Sequence, residues 1–340
     1  MDIKILDDCN AVNWDSFVHN HPQATFFHKA GWRNVLQSAF GHDTYYLYVE
    51  DNCSIQAILP LGHIKSKLFG NSLISTPFCV YGGIVSSNEK ASQLLDKAAY
   101  DLARDLKVDY LELRNIEDSF NKNPKSQLYV TFRKALFPDY NSNFMAIPRK
   151  QRAMIRKGIS VGLKSVIDTD LTRFYNMYSE SLRNLGTPVL GRRYFEILKH
   201  VFVDDVEIIS IENNYSVVSS VLNFFFRDEI LPYYGGGSTL ARELSANDFM
   251  YWEVMKHSVD RGCKIFDFGR SKSGSGSYRF KSHWGFESKP LHYEYQLVNS
   301  TTLPEINPLN PKYRFLINAW KHLPLSLSTL IGPFISKNIG

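Results

Sequence analysis

The sequence has no unbroken apolar run of the ~18 residues that a membrane-crossing helix needs. Its four cysteines, Cys9, Cys53, Cys79 and Cys263, form no C-x-x-C pair and no cluster with histidine, so neither a zinc site nor a disulfide framework is expected. The segment Met1–Asn10 carries three acids and no apolar stretch of the kind a secretory leader contains. A chain working in a reducing cytoplasm, with no metal, fits these absences. The common catalytic signatures are missing too: there is no Gly-x-Ser-x-Gly elbow, Walker loop, zinc motif or dinucleotide fingerprint. Of the ten histidines, only His283 falls inside a segment singled out below.

What is present is an ordinary globular composition, 44% apolar and 21% charged, which excludes disordered, collagen-like and coiled-coil chains. At 340 residues, two domains of about 100–200 residues each are expected. The net charge is only +5, but it is unevenly placed. Between Tyr140 and Ile167 lie six basic residues and no acid; Gly269–Phe286 and Ile306–Gly340 each hold four more, again without an acid. Setting these 14 aside leaves 25 basic residues against 34 acids, a body at −9. Three basic segments on an acidic body are expected to meet something anionic.

Periodicity gives a mixed α/β (α+β) reading. In the first half, strands are expected at Thr44–Val49, Ile55–Gly62, Ser72–Phe78 and Tyr81–Val85. A helix capped by Asn88 then leads to the strand Asp109–Arg114, and Gln127–Leu136 follows as a last strand. The second half repeats the order, with helices near Arg149–Ile159, Leu171–Leu185 and Arg193–Val203 and strands at Val206–Glu212, Ser216–Arg227 and Glu229–Gly235. A helix over Asp248–Val259 and strands Lys264–Phe268 and Leu291–Val298 complete it. Tyr81-Gly82-Gly83 precedes Arg114 much as Tyr234-Gly235-Gly236 precedes Arg270, with Tyr-to-Arg spacings of 33 and 36, which points to an internal duplication. Pro148 suits a joint between domains, giving 1–146, 147–299 and a proline-punctuated apolar tail, 300–340.

Three segments could carry chemistry. Arg149, Lys150, Arg152, Arg156 and Lys157 crowd the start of a helix, where the macrodipole favours acids, so local stability does not account for them. Arg149, Arg152 and Arg156 share a face and could converge on phosphate; a solvated basic face is the plainer alternative. In Phe266–Phe286 a strand end delivers Asp267 and Arg270, then a Gly/Ser loop with Lys272, then Lys281 among aromatics that include Trp284. That loop could hold an anion on its backbone N–H groups; alternatively Asp267 and Arg270 pair and the aromatics are core. In the third, Tyr233-Tyr234-Gly235-Gly236-Gly237 lets a ligand approach a strand end and feeds, past Arg242, a helix N-terminus; a plain turn is an equal alternative.

The segments Ile147–Arg152, Asn184–Val189, Pro232–Gly236, Phe266–Lys272 and Phe280–Phe286, with Trp320–Pro324 in the tail, resemble the FemAB-related proteins associated with the exosortase/PEP-CTERM system of Gram-negative bacteria. These are relatives of the Fem peptidyltransferases in the GNAT acyl-CoA N-acyltransferase superfamily. The resemblance implies two tandem GNAT-like domains, each a mixed, mostly antiparallel sheet flanked by helices. It implies N-acyl transfer to an amine of an envelope or exopolysaccharide precursor, with acyl-CoA or aminoacyl-tRNA as donor and an anionic glycan, nucleotide-sugar or lipid-linked acceptor. Lys281 holds the position of the Fem lysine that assists at the reacting ester; Asp267 would accept a proton or orient, and Arg270 and Lys272 would bind phosphate or carboxylate. Two departures stand out: no glycine occurs from Arg242 to Asp248, where a pyrophosphate loop is usual, and Leu36 follows Trp32 where many Fem-type sequences carry a lysine. A GNAT-derived protein that binds without catalysis is the non-enzymatic alternative. The tail would dock on the first domain or, through residues 320–335, on the inner membrane surface.

Overall fold

A computed structural model describes residues 1–67, 69–118, 123–304 and 311–340, without the side chains of 311–314. Two compact units emerge, one of 1–129, 290–306 and 337–340, the other of 130–289 and 307–336.

The first unit begins β1 (Asp2–Ile5), α1 (Ala11–Asn20), α2 (Gly31–Phe40), β2 (Asp43–Asp51), β3 (Ser54–Ser66), β4 (Gly70–Ser75) and β5 (Val85–Ser86). It continues with α3 (Glu89–Asp105), β6 (Tyr110–Asn115) and β7 (Lys125–Ser126). Asn88 caps α3 by accepting the Ala91 N–H, and Ala91, Leu95, Ala99 and Ala103 at helical spacing bury one face against the sheet. Tyr81–Val85 is irregular up to Val85, not a strand. The positive φ of Thr76 and Phe78 turns the chain out of β4, and the N–H groups of Gly82 and Gly83 both donate to the Arg114 carbonyl.

The second unit runs β8 (Tyr129–Ala135), α4 (Tyr140–Ala146), α5 (Arg149–Ser160), β9 (Lys164–Asp168), α6 (Leu171–Leu185) and α7 (Arg192–Val201). Then come β10 (Val206–Asn213), β11 (Ser216–Phe226), β12 (Glu229–Gly237), α8 (Leu240–Glu243), α9 (Ala246–Asp260) and β13 (Ile265–Asp267). β14 (Ser271–Lys272), α10 (Gly276–His283), β15 (Ser288–Pro290), β16 (His292–Leu297), α11 (Pro311–Lys321) and α12 (Leu325–Ser336) complete the chain.

Strand order shows the duplication. One sheet reads β1-β2-β3-β4-β6-β16-β7 and the other β9-β10-β11-β12-β13-β8-β14, and each contains a parallel pair at the matching place, β4 with β6 and β12 with β13. These are two mixed sheets of the same plan, flanked by helices, as tandem GNAT-like domains require. The sixth strand of each is exchanged relative to the sequence reading. Gln127–Leu136, assigned to the first half, supplies β8 beside β13, and Leu291–Val298, assigned to the second, supplies β16 beside β6. Each position asks only for an antiparallel neighbour that can be buried on both faces, and both segments meet that demand, β8 burying Val130, Thr131 and Phe132 in succession and β16 burying Tyr293, Glu294, Tyr295 and Gln296.

Proline punctuation does not prevent α11 and α12, both of which pack against α6. The tail's two ends belong to the first unit: 300–304 continues from β16, and in 337–340 His42 Nε2 meets the Lys337 carbonyl at 2.7 Å and Arg114 Nη2 donates to the Gly340 carbonyl at 3.1 Å. Among the described residues no helix is long and apolar enough to cross a membrane.

Gly236 is required by close approach: a Cβ there would sit 2.4 Å from the Met177 carbonyl oxygen of α6. Backbone cannot yield as a side-chain end can, so Gly236→Ala should destabilise by about 2–4 kcal/mol, read as a lower urea midpoint with unchanged slope.

Candidate active site

The site is built where the parallel pair separates. β12 and β13 are paired only at Glu229↔Ile265 and Ile230↔Phe266. Beyond that β13 keeps to β8, with the Phe268 N–H donating to the Phe132 carbonyl at 2.8 Å, while β12 continues to Gly237 along β11. A bulge at Tyr233, between Pro232 and Tyr234, bends β12 at this point; Pro232 has no N–H to offer. The β12 edge from Leu231 to Gly237 therefore faces a widening gap with no strand partner on that side. Such an edge holds an extended ligand as an added strand would.

Gly269 opens the far wall. Its φ of +67° turns the chain directly after β13, and its N–H donates to Asp267 Oδ1 at 2.7 Å. Asp267 is 1% exposed, with Arg133 Nε 3.5 Å from its Oδ2; Arg133 also pairs with Glu229, whose carboxyl burial raises. The turn aims the Gly269 and Arg270 carbonyls at α10, where Lys281 Nζ donates to both at 3.0 Å. Burial lowers the Lys281 ammonium to about 8; Asp267 opposes that shift and Arg270 reinforces it. Two of its three N–H bonds are thus fixed, and the third is available to an incoming oxygen. Lys272 is likewise lowered to about 8, by burial and then by Arg270, and between them the Ser271 hydroxyl is buried without a hydrogen-bond partner. This is a concentration of cationic donors suited to an anion.

The third wall is α9. Asp248, in its first turn, accepts the Trp284 Nε1–H at 3.1 Å, and burial raises its carboxyl to about 6. Tyr251, one turn on, is pushed to about 12 by burial and the Asp248 charge; its hydroxyl lies on the side of β12 that Gly235 faces. Tyr251, Phe268, Phe280 and Trp284 form an aromatic wall, with Tyr251 and Phe268 ring centroids 4.8 Å apart.

The structure thus gathers Lys281, Arg270 and Lys272 of the expected set, with Asp267 and Trp284 buried behind them; Trp284, wholly buried in the core, does not present its ring to a substrate as expected. The structure also brings the basic helix to the edge of the site, because a Cβ on Gly285 would lie 3.1 Å from Pro148, which caps α5. Arg149 and Lys150, in the first turn of that helix, are exposed, as are Arg156 and Lys157 farther along. Arg152 and Arg156 lean on α4, the first against Met145 Sδ, the second with its guanidinium 5.2 Å from the Phe144 ring. Arg242 is exposed on α8. Tyr234 lies on the other face of β12, its hydroxyl 2.7 Å from that of Tyr194 among Tyr178 and Phe195. Trp32 and Leu36 are wholly buried, so neither presents a side chain to a ligand. His283 is exposed, and among the described residues no group of three or more His, Cys, Asp or Glu gathers as a metal site. Asp248 and Tyr251 were not assigned a role from the sequence; the signal was an acid in the first turn of a helix after a glycine-rich strand, which a helix cap also explains.

Residues 147–282 match the family described as Acetyltransferase (GNAT) domain. The chain carries an acyltransferase domain. Among solved structures it is similar to FemX, with a TM-score of 0.67 at 15% identity over 88% of this chain and 98% of that one. It is similar also to the C-terminal domain of a putative lysylphosphatidylglycerol synthetase from Agrobacterium fabrum, at 0.58 and 12% over 84% and 91%. A tandem GNAT protein from the clavulanic acid biosynthesis pathway follows at 0.54 and 12% over 88% and 99%. At these identities the likeness is one of fold. No curated protein matches the sequence.

Proposed function

We propose that the second unit transfers an acyl group from an activated ester or thioester to the amine of an anionic acceptor, a nucleotide-linked or lipid-linked sugar of the envelope or of an exopolysaccharide, as the exosortase-associated resemblance suggests. The observation that carries this reading is the Lys281 ammonium, clamped by two carbonyls at the mouth of the unpaired β12 edge, with Arg270 near enough to act on both it and Lys272. The donor's extended arm lies along Leu231–Gly237. The amine lone pair attacks the acyl carbon, the third N–H of Lys281 meets the oxygen that becomes negative, and the C–S or C–O bond then breaks. Asp248 accepts the proton lost by the amine, and Lys281 can supply one to the leaving group. Asp267, fully buried, supports the turn and offsets the Lys281 charge.

The two donor classes meet the α9 N-terminus differently. The pantetheine arm of an acyl-CoA fits the β12 edge, but its diphosphate would approach the Asp248 carboxyl, in a stretch without glycine whose Ser245 already adopts a positive φ. An aminoacyl ester of tRNA makes no such demand, and exposed Arg149, Lys150 and Lys157 suit its phosphates. Thermal shifts with acetyl-CoA and with an aminoacylated tRNA acceptor-stem mimic separate the two: a salt-sensitive rise with the mimic alone supports the ester donor, and a rise with acetyl-CoA alone supports the thioester.

The reading fixes a pH profile. kcat/KM should rise through about 6 as Asp248 loses its proton and fall through about 8 as Lys281 loses its own. Because Asp248 keeps its proton to higher pH when folded than its ordinary 3.8, the unfolded chain binds fewer protons between those values and the ionised carboxyl costs stability at pH 7. Asp248→Asn, which still accepts from Trp284, should therefore remove the acidic limb and lower activity, yet raise Tm at pH 7 by a few degrees and leave it unchanged near pH 4.

A further inference from the structure

α12 is turned inside out for a helix on a water-soluble surface. Its buried positions are Ser328, Gly332 and Ser336, a stripe of small residues at i, i+4, i+8. That stripe seats on the 187–191 loop: a Cβ on Gly332 would lie 2.8 Å from Val189 Cγ1, Ser336 Oγ donates to the Val189 carbonyl at 3.0 Å, and Pro333 lies against Gly191. Large side chains have no room on that side. Leu327, Leu330, Ile331 and Phe334, at i, i+3, i+4, i+7, face outward, with Leu330 64% and Phe334 67% exposed. α11 adds Phe315 at 80% exposure and Leu316, while its Ile317 packs on Gly186 at the end of α6, next to exposed Leu185. In sequence this segment is cationic: 306–340 holds Lys312, Arg314, Lys321 and Lys337 and no acid.

An outward apolar face on a helix seated by its small residues calls for a second apolar medium, and the acid-free basic flank calls for that medium to carry negative charge. We propose that α11 and α12 form a docking surface for an anionic lipid bilayer, with Leu327, Leu330, Ile331, Phe334, Phe315 and Leu316 entering the headgroup–acyl boundary. The surface lies on helices packed against α6 and takes no part in the proton and acyl steps above, so it holds or fails independently of the proposed reaction.

The test is cosedimentation of the full chain with phosphatidylcholine vesicles containing or lacking phosphatidylglycerol. The protein should pellet with the anionic vesicles and be partly released by added salt, and the double variant Leu330→Asp/Phe334→Asp should bind about tenfold or more weakly at an unchanged Tm. Should that variant fold poorly, Phe334→Trp gives the second readout, an emission blue shift on adding anionic vesicles and none with phosphatidylcholine alone. No pelleting with no blue shift overturns the proposal. So does a dimer in light scattering that the double aspartate variant converts to monomer, since the face would then be covered by a second copy of the chain.

Discussion

Lys281→Met is expected to lower acyl transfer by about 10²–10³-fold, the usual size of losing one preorganised donor to a developing oxyanion, while moving Tm by only a few degrees. The small stability effect follows from two opposed terms. Removing Nζ deprives the Gly269 and Arg270 carbonyls of a donor, about 1 kcal/mol for a typical net hydrogen bond. Removing the cation also removes its burial cost, the same cost that lowers Lys281 to about 8 from 10.5. Methionine keeps an apolar stem near Phe132, whose ring centroid lies 5.8 Å from Nζ. Between pH 8 and 10.5 the unfolded lysine binds more protons than the folded one, so wild-type stability should rise with pH over that window and the variant should lack the rise. A large loss of Tm at pH 7 with activity falling only in proportion would make Lys281 structural.

Asp267→Ala should give the larger stability loss. It takes the carboxylate from Arg133, from the Gly269 N–H and from the field of Lys281 at once, in a position with almost no solvent to compensate. Removing one partner of a buried charge network costs about 3–5 kcal/mol, or roughly 10 °C in Tm. Activity should fall as well, because the turn that aims two carbonyls at Lys281 loses its tie. Asp267→Asn keeps an acceptor for the Gly269 N–H and should recover part of the stability, yet it leaves Lys281 without its counter-charge, so the basic limb of the pH profile should move below about 8. A wild-type basic limb in the asparagine variant would show that Asp267 does not act on Lys281.

Much of this site was legible because its residues are consecutive. Asp267, Arg270, Lys272, Lys281 and Trp284 lie on one strand–loop–helix segment, and local spacing brings them together. Residues that depend on which face of a strand looks where were less legible: Tyr234 and Gly235 are neighbours in sequence but opposite in the sheet, so the tyrosine joins the α6 and α7 aromatics while the glycine faces Tyr251. The spacing of Arg149, Arg152 and Arg156 leaves open a face converging on phosphate or a solvated one, and it does not foretell that Arg152 meets Met145 and Arg156 lies over Phe144, contacts that only tertiary packing creates. The exchanged strands were illegible for a related reason. Val130 to Phe132 in β8, like Tyr293 to Gln296 in β16, are buried on both faces, and nothing local says which sheet receives them.

The central claim is that the gap between β12 and β13 passes an activated acyl group to an amine under Lys281. It is tested most directly by incubating the protein with an amino-sugar phosphate and either labelled acetyl-CoA or a labelled aminoacylated acceptor-stem mimic, and following label onto the amine by mass spectrometry. Label should appear with wild type from one of the two donors and vanish with the folded Lys281→Met variant. Equal label with both proteins, or none with either donor, would contradict the account.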